Sequence, residues 1–192
     1  MRVKMGKDER QRRLQRTIRE DPFLTDRELA GEFQVSIQTI RLDRMELGIP
    51  EVRERIKDLA QNAYSKVKSI SGPDITGQLI EVELNNRGQS LLETTEEMSP
   101  QKSEIIRGHY IFAQANSLAV AIIDADIVLT GSAKIRFRRP VFVGERLIAE
   151  ARVNNRRDNK FFVKIVIRRD EIVFEGDFIV VAPVRGEGGE LF

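Results

Sequence analysis

The stretch Arg107-Gly-His-Tyr-Ile-Phe-Ala-Gln-Ala-Asn-Ser-Leu-Ala-Val-Ala-Ile-Ile-Asp124 decides the fold of this chain. It opens with a cation and a glycine and then runs almost without charge for about three helical turns. Apolar side chains occupy nearly every face, which predicts a helix buried on most sides. The polar exceptions gather near the amino end: Arg107, His109, Gln114 and Asn116. Because a helix amino terminus presents free backbone donors, that end is a candidate small-molecule site.

Six strand-like segments flank this helix, two before it and four after it. They cover residues 77–84, 90–95, 127–137, 147–154, 161–168 and 172–181. Short polar connections such as residues 156–159 favour antiparallel pairing. The order β-β-α-β-β-β-β with one apolar helix predicts an antiparallel sheet curled around that helix. This is the hot-dog architecture.

The front of the chain predicts three short helices. Asp21-Pro22 ends the first, residues 7–20, because proline disfavours helix in the residue before it. The pattern from Thr25 to Glu28 is a capping box for the second helix. Ser36 is placed to cap the third, residues 37–47. The tight turn between the second and third helices is typical of a helix-turn-helix.

The third helix carries side chains suited to DNA on the side that the core does not need. Gln and Arg bond adenine and guanine edges in the major groove, while Ser and Thr suit phosphate oxygens. Arginines of the first helix are candidates for contacts to the DNA backbone. The predicted DNA-binding residues are Ser36, Gln38, Thr39, Arg41, Arg44, Arg12 and Arg13. The alternative is a helical bundle that binds protein and whose arginines are only solvated.

An amphipathic segment follows, from Pro50 to about Ser69. Its apolar residues alternate spacings of three and four, which predicts a helix of about 20 residues spanning roughly 30 Å. The apolar stripe requires a partner, either a second chain, the rear domain, or each in turn. The opposite face could follow phosphates or belong to a passive spacer. Its cations are Arg53, Arg55, Lys57, Lys66 and Lys68.

These segments give an α+β protein in three parts. Residues 1–48 are expected to form a helix-turn-helix DNA-binding domain, residues 49–72 an amphipathic linker helix, and residues 73–192 a hot-dog domain that contains the candidate small-molecule site. Ser71-Gly72-Pro73 marks the start of the rear domain, since glycine and proline punctuate regular structure.

Composition restricts the classes of function. The 192 residues are 41% hydrophobic and 32% charged, which is typical of a soluble globular protein. With no cysteine, one histidine and no long apolar run, we expect no disulfide, metal site or membrane span. The charged amino terminus is unlike a signal segment, so a cytoplasmic protein without a cofactor is expected. Residues 1–72 carry 16 Lys and Arg against 12 Asp and Glu, and the remainder 16 against 18, which suggests that the front meets a polyanion.

Five strings spread along the chain carry a family resemblance. They are Val35-Ser-Ile-Gln-Thr-Ile-Arg-Leu-Asp-Arg44, Leu47-Gly-Ile-Pro-Glu51, Arg107-Gly-His-Tyr110, Phe112-Ala-Gln-Ala-Asn116 and Leu129-Thr-Gly131. Together they resemble the FapR repressors of bacterial fatty acid and phospholipid synthesis genes. The resemblance implies a homodimer on palindromic double-stranded operator DNA, with malonyl-CoA or malonyl-acyl carrier protein as the releasing effector.

The residue types fit such an effector. Malonyl carries a free carboxylate, which a largely buried Arg107 would bind through a planar, two-pronged contact. An acetyl group would leave that guanidinium unpaired, at a high cost in a buried site. Gly108 would allow close approach, and the amides of Gly108 and His109 could hold the thioester carbonyl together with Asn116.

The resemblance also implies that Arg107 and Asn116 of one site come from different subunits. The predicted effector-binding residues are Arg107, Gly108, His109, Asn116, Leu129 and Gly131. Structural alternatives remain open, since His109 could be a hydrogen-bonded structural residue and Asn116 could cap a loop. Arg107 could pair with Glu104 or Asp124. Ser99-Pro100 stands where the resemblance implies an apolar or aromatic residue of the malonyl pocket.

Many proteins on this fold are acyl-CoA thioesterases or dehydratases. Hydrolysis by such enzymes needs a carboxylate near the thioester as nucleophile or general base. The central helix offers none before Asp124, and Glu93, Glu96 and Glu97 could reach the site only from a loop. We therefore expect a repressor without catalytic residues rather than an enzyme. The alternative is an acyl-CoA thioesterase with a regulatory or DNA-binding front domain.

Overall fold

The computed structural model describes residues 6–183, which contain five α-helices and six β-strands. The helices are α1 (Lys7–Glu20), α2 (Asp26–Phe33), α3 (Ile37–Glu46), α4 (Val52–Tyr64) and α5 (Gly108–Ala121). The strands are β1 (Gln78–Glu83), β2 (Arg87–Glu93), β3 (Leu129–Phe137), β4 (Arg146–Arg157), β5 (Lys160–Arg168) and β6 (Ile172–Val181). The chain divides into an N-terminal unit, Met1–Leu59, and a C-terminal unit, Ala60–Phe192. None of the helices described in residues 6–183 is long and apolar enough to span a membrane.

Local signals in the sequence set the helix boundaries of the N-terminal unit. The Thr25 side chain accepts the backbone N–H of Glu28, whose carboxylate accepts the backbone N–H of Thr25 at 2.7 Å. This is the predicted capping box. Gln34 adopts a left-handed conformation with φ 55° and ends α2. Ser36 then caps α3 by accepting the backbone N–H of Thr39 at 3.1 Å.

A small apolar core holds α1, α2 and α3 together. Its buried members are Leu14, Ile18, Leu29, Ala30 and Ile40. Half-buried side chains pack against it, including Phe33 at the end of α2 and Val35 in the turn between α2 and α3. The predicted helix-turn-helix is therefore present, with residues 34–36 as its turn.

The fourth helix is shorter than its apolar periodicity predicts. α4 has 13 residues and ends at Tyr64, so it spans about 20 Å rather than roughly 30 Å. The predicted continuation to Ser69 is wrong, because residues 65–70 leave the helix and attach to the C-terminal unit. Lys66 donates to the carbonyl of Val82 at 3.1 Å, and Ser69 donates to that of Val120 at 3.0 Å. The lower part of the apolar stripe, Val67 and Ile70, packs on the core of that same unit.

The C-terminal unit is one antiparallel sheet packed around α5. The strand order is β1-β2-β4-β5-β6-β3, so β1 and β3 are its edges. Alternate residues of β4, β5 and β6 are buried, as the period of two predicts for a sheet with one covered face. On α5, Ala115, Leu118 and Ala119 are fully buried. The predicted hot-dog fold, with one helix on the inner face of the sheet, is confirmed.

The edge strand β3 differs from the other strands in its exposure. All nine of its residues are exposed. Ile135 and Phe137 stand opposite Gly176 and Phe174 of β6, on the face of the sheet that α5 covers elsewhere. Yet they remain 36% and 47% exposed. The inner face of the sheet therefore extends beyond the cover that α5 provides.

Candidate effector pocket and nucleic-acid interface

Arg107 is the N-cap residue of α5 and lies against the loop that precedes the helix. Its Nη1 donates to the backbone carbonyl of Glu97 at 3.3 Å, and its backbone N–H donates to that of Met98 at 2.9 Å. The predicted burial of this guanidinium is wrong for the single chain, because the loop contacts it and leaves much of it exposed. The alternative pairing is not found within residues 6–183, where Arg107 forms no ion pair with Glu104 or Asp124.

An open pocket of about 900 Å³ lies beside Arg107. The loop between β2 and α5 supplies most of its lining, and Val143 completes it. The charged lining groups are Glu96, Glu97, Lys102, Glu104 and Arg107. Pro100 belongs to the same wall, so the segment Ser99-Pro100 shapes this pocket. Because Arg107 bonds a carbonyl rather than a carboxylate, its positive charge is available to an anionic ligand.

The first turn of α5 lies under an aromatic ring. A Cβ at Gly108 would lie 3.1 Å from Cζ of Phe137 and 3.2 Å from its Cε1. The predicted close approach at this glycine is thus made by a side chain of β3. His109 is exposed, and its ring lies 4.3 Å from that of Tyr110. Its side chain forms no hydrogen bond within the described part of the chain, so the hydrogen-bonded structural alternative is not found there.

Asn116 lies two turns further along α5 and faces the start of β3. Its Oδ1 accepts the hydroxyl of Thr130 at 2.6 Å, which brings it beside Leu129 and Gly131. Leu129 is 54% exposed, and Gly131 sits where the register between β3 and β6 shifts. The rise from Gly108 to Asn116 is about 12 Å. Within one chain, the predicted effector residues therefore form two separate groups, one at Arg107 and one at Asn116.

One exposed face of α3 contains Gln38, Arg41, Leu42 and Met45, which recur at helical spacing. Ser36 and Thr39 lie at its amino end, with their hydroxyls 2.9 Å apart. The prediction included Gln38 and Arg41 and omitted Leu42 and Met45. Leu42 is 51% exposed and Met45 is 74% exposed. Their spacing from Gln38 and Arg41 was the signal that could have found them.

Arg44 does not belong to that face. It is 3% exposed, and its Nε and Nη2 donate to the carboxylate of Asp26 at 2.7 and 2.9 Å. Its Nη1 donates to the carbonyl of Ile49 at 3.0 Å. The predicted exposure of Arg44 is wrong because it follows Ile40 by one turn, on the buried stripe of α3. The hydrogen bond from Arg44 holds the pKa of Asp26 below its ordinary value.

The arginines of α1 also differ in whether they face solvent or form a buried ion pair. Arg12 and Arg13 are exposed, as expected for contacts to a DNA backbone, and Arg13 lies over the ring of Phe33 at 5.6 Å. Arg10 instead donates to buried Asp43 of α3 at 2.6 Å. Burial alone would raise the pKa of Asp43, but the hydrogen bonds from Arg10 and Gln11 outweigh it and lower that pKa.

Arg55 of α4 is a structural residue that the sequence prediction placed on a solvated face. It is 8% exposed and donates to three backbone carbonyls, those of Pro22 at 3.0 Å and of Leu24 and Pro50 at 2.7 Å each. Burial lowers its pKa. This side chain ties the first turn of α4 to the connection between α1 and α2, so the beginning of α4 is fixed within the N-terminal unit.

The fold and the pocket indicate the class of protein to which this chain belongs, and comparisons with known proteins agree. Residues 103–174 match the model of the Thioesterase superfamily. The solved structure of Cj0977, a sigma28-regulated virulence protein from Campylobacter jejuni, aligns with a TM-score of 0.61 at 27% identity, over 65% of this chain and 90% of that one. The uncharacterized protein PH1136 from Pyrococcus horikoshii aligns with a TM-score of 0.56 at 26% identity, over 60% of this chain and 90% of that one. The class is a thioesterase-like hot-dog protein with a helix-turn-helix in front.

Relatives that match almost the full chain identify the family. The transcription factor FapR of Thermoanaerobacter sp. (strain X514) is 54% identical over 183 residues, which cover 95% of this chain and 92% of the relative. That of Halalkalibacterium halodurans is 50% identical over 179 residues, covering 93% and 96%. The chain belongs to the FapR family of transcription factors. The predicted function as a transcriptional repressor is thereby confirmed over the thioesterase alternative.

Proposed function

We propose that malonyl-CoA, or malonyl-acyl carrier protein, releases this repressor from the operators of fatty acid and phospholipid synthesis genes. The observation that carries the proposal is the position of Arg107. Its guanidinium lines an open pocket and is held by a backbone carbonyl, so it can still bind a carboxylate. A malonyl group ends in a carboxylate, whereas an acetyl group ends in a methyl group and gives this cation no partner.

The DNA contacts follow from the exposed residues of the N-terminal unit. Gln38 and Arg41 on α3 contact base edges, while Ser36, Thr39 and the amino end of the helix contact phosphates. Arg12 and Arg13 add contacts to the backbone. Arg44 has no direct part in this interface, because its guanidinium is occupied by Asp26. Its role is to hold α3 against α2.

A homodimer places the recognition helices and completes the effector site. The exposed edge strand β3 offers unpaired backbone groups together with Leu129, Ile135 and Phe137, a combination that favours pairing with a second chain. Arg107 and Asn116 lie in separate groups within one chain, which supports a site formed by Arg107 of one subunit and Asn116 of the other. Two copies of α3 then read half-sites one helical turn apart, about 34 Å.

The same pocket binds the thioester without hydrolysing it. α5 carries no Asp or Glu, so no helical carboxylate is available as nucleophile or general base. Glu96 and Glu97 line the pocket from the preceding loop. Their contribution is to surround Arg107 with negative charge and thereby to disfavour anions that cannot make the two-pronged contact. No cofactor is involved, and the protein acts in the cytoplasm.

Release follows from linkage between the two ligands. Malonyl-CoA bound at Arg107 orders the loop of residues 96–106 and changes the partner of the apolar stripe of α4. Since Arg55 fixes the first turn of α4 to the N-terminal unit, a change in α4 is passed to the recognition helices. Such coupling amounts to about 1–3 kcal/mol, and operator DNA must weaken malonyl-CoA binding by the same factor.

The test is the Arg107→Ala variant in an electrophoretic retardation assay with a palindromic operator. The variant should bind the operator like the wild type, because Arg107 lies far from the recognition helix in sequence and belongs to the other unit. The malonyl-CoA concentration that releases half of the DNA should rise at least about tenfold, since the lost contact is charge-assisted.

Lys102→Ala is the matched control, because it removes a second cation from the same pocket wall and should change the release concentration little. Acetyl-CoA should release neither protein. If Arg107→Ala were released at the wild-type concentration, the assignment of the effector carboxylate to this residue would be wrong. Turnover of acyl-CoA by the wild type, lost in Glu96→Gln or Glu97→Gln, would instead support the thioesterase alternative.

A further inference from the structure

The exposed face of α3 contains two large apolar side chains that are more than half exposed. Leu42 and Met45 are 51% and 74% exposed, and neither belongs to the apolar core of this unit. They lie on the same side of the helix as Gln38 and Arg41, the residues proposed to reach base edges. Ile40, which lies between Gln38 and Arg41 in sequence, is fully buried and fixes the orientation of α3.

Large apolar groups at such positions match one feature of the major groove. Thymine is the base that presents a methyl group there, and apolar side chains contact it. Leu42 and Met45 are three residues apart, which corresponds to a rise of about 4.5 Å along the helix. Successive bases of one strand are about 3.4 Å apart, so the two side chains can meet methyl groups at neighbouring steps.

The surroundings of this face favour DNA over an apolar protein surface. Arg41 is exposed beside Leu42, and its contact to Asp26 is long, at 3.4 Å. The hydroxyls of Ser36 and Thr39 lie at the amino end of the same helix, where backbone N–H groups favour anions. A face with a cation, an amide and hydroxyls around two apolar groups is complementary to a groove lined by phosphates.

We infer that Leu42 and Met45 are specificity-determining residues that read thymine methyl groups in each operator half-site. The inference rests on the proposed binding of operator DNA and adds to it the chemistry of two base positions. It assigns hydrogen bonding to Gln38 and Arg41 and methyl recognition to the apolar pair. The operator should therefore contain one or two thymines per half-site whose methyl groups contribute to affinity.

The test uses the full chain and a site that it selects from a pool of randomised duplex DNA. Each thymidine of that site is then replaced, one at a time, by deoxyuridine, which keeps every hydrogen-bonding group and removes only the 5-methyl group. Affinities are measured by fluorescence anisotropy at fixed salt. At one or two positions in each half-site, wild-type affinity should fall about fourfold, as expected for one apolar carbon.

The variants Leu42→Ala and Met45→Ala show whether those methyl groups meet these side chains. Each variant should bind the thymine site less tightly than the wild type. Deoxyuridine at the position whose methyl group the replaced side chain contacts should cause that variant no further loss of affinity. Both residues are exposed, so the helical circular dichroism and the melting temperature should stay unchanged. Glu32→Ala, an exposed change on α2, should bind and discriminate like the wild type.

Three results would overturn the inference. The first is that deoxyuridine leaves wild-type affinity unchanged at every position. The second is that Leu42→Ala and Met45→Ala lose as much affinity as the wild type at each deoxyuridine replacement. Wild-type affinity of Leu42→Ala and Met45→Ala for the thymine site would mean that these two side chains do not contact the operator. If the chain selected no DNA sequence from the pool, the proposed operator binding itself would be wrong. That result is distinct from a failure of methyl recognition alone, in which a sequence is selected but deoxyuridine has no effect.

Discussion

Two arginines of α3 show how burial decides what a cation does. Arg41 and Arg44 both contact Asp26, but the side chain of Arg41 is 56% exposed and that of Arg44 is 4% exposed. An exposed pair contributes little, about 0–1 kcal/mol, because water screens it. Removing one partner of a buried pair leaves the other charge uncompensated. The same residue type therefore serves DNA binding at one position and stability at the other.

Arg44→Ala should lower the free energy of unfolding of the N-terminal unit by roughly 3 kcal/mol, because Asp26 and the carbonyl of Ile49 lose their donor. Arg41→Ala is the matched control and should change stability by less than about 0.5 kcal/mol while weakening operator binding. Urea unfolding followed by circular dichroism measures the first quantity, and anisotropy measures the second. Equal stability losses in the two variants would contradict the assignment.

At the level of single residues, the sequence predicted contacts between residues that are close together in the chain. The caps made by Thr25 and Ser36 involve residues three positions away, so their patterns are visible in the sequence. The ion pair between Arg44 and Asp26 joins two helices, and its partner cannot be read from local spacing. Helical periodicity from Ile40 could still have placed Arg44 on the buried side. The exposure of Arg107 depends on how a loop folds, which no periodicity predicts.

At the scale of whole elements, a network of carboxylates fixes the recognition helix to α1 and α2. Asp43 accepts from Arg10 at 2.6 Å and from Gln11 at 3.2 Å, while Asp26 accepts from Arg44. The amphipathic pattern gave the existence of α4 but not its length. Its apolar stripe continues to Ile70, yet side-chain bonds from Lys66 and Ser69 to the C-terminal unit replace helix there. Tertiary contacts therefore overrode local periodicity.

This network should make the N-terminal unit sensitive to acid. The pKa values of Asp26 and Asp43 are lowered in the folded chain, so both carboxylates stabilise it fully above about pH 4. That stabilisation is lost as the pH falls through the lowered pKa values. Asp43→Asn should therefore melt below the wild type at pH 7, and the gap should narrow towards pH 3. A gap that stays constant across this range in thermal melts would rule out the carboxylate as its cause.

For the molecule as a whole, the proposed dimerisation surface is the edge strand β3. The sequence predicted its strand character but not that all nine residues would be exposed, because edge position depends on the order in which strands pair. Ile135 and Phe137 continue the apolar inner face beyond α5. We propose that a second chain covers them and that Asn116 of one subunit and Arg107 of the other share a site there. Dimerisation, effector recognition and operator binding should then depend on one surface.

Ile135→Lys should separate the subunits, because a charged side chain on this face cannot be buried without a partner. Light scattering should then give a mass near the 22.0 kDa of one chain. The variant should bind a palindromic operator far more weakly than the wild type. In a dimer, binding of one DNA-binding domain raises the effective concentration of the second at its half-site, and a monomer lacks this gain. Lys134→Ala, on the opposite face of β3, should remain dimeric and bind normally. A folded Ile135→Lys variant that stays dimeric and is released by malonyl-CoA like the wild type would show that the subunits meet elsewhere, and that Arg107 and Asn116 do not share a site across β3.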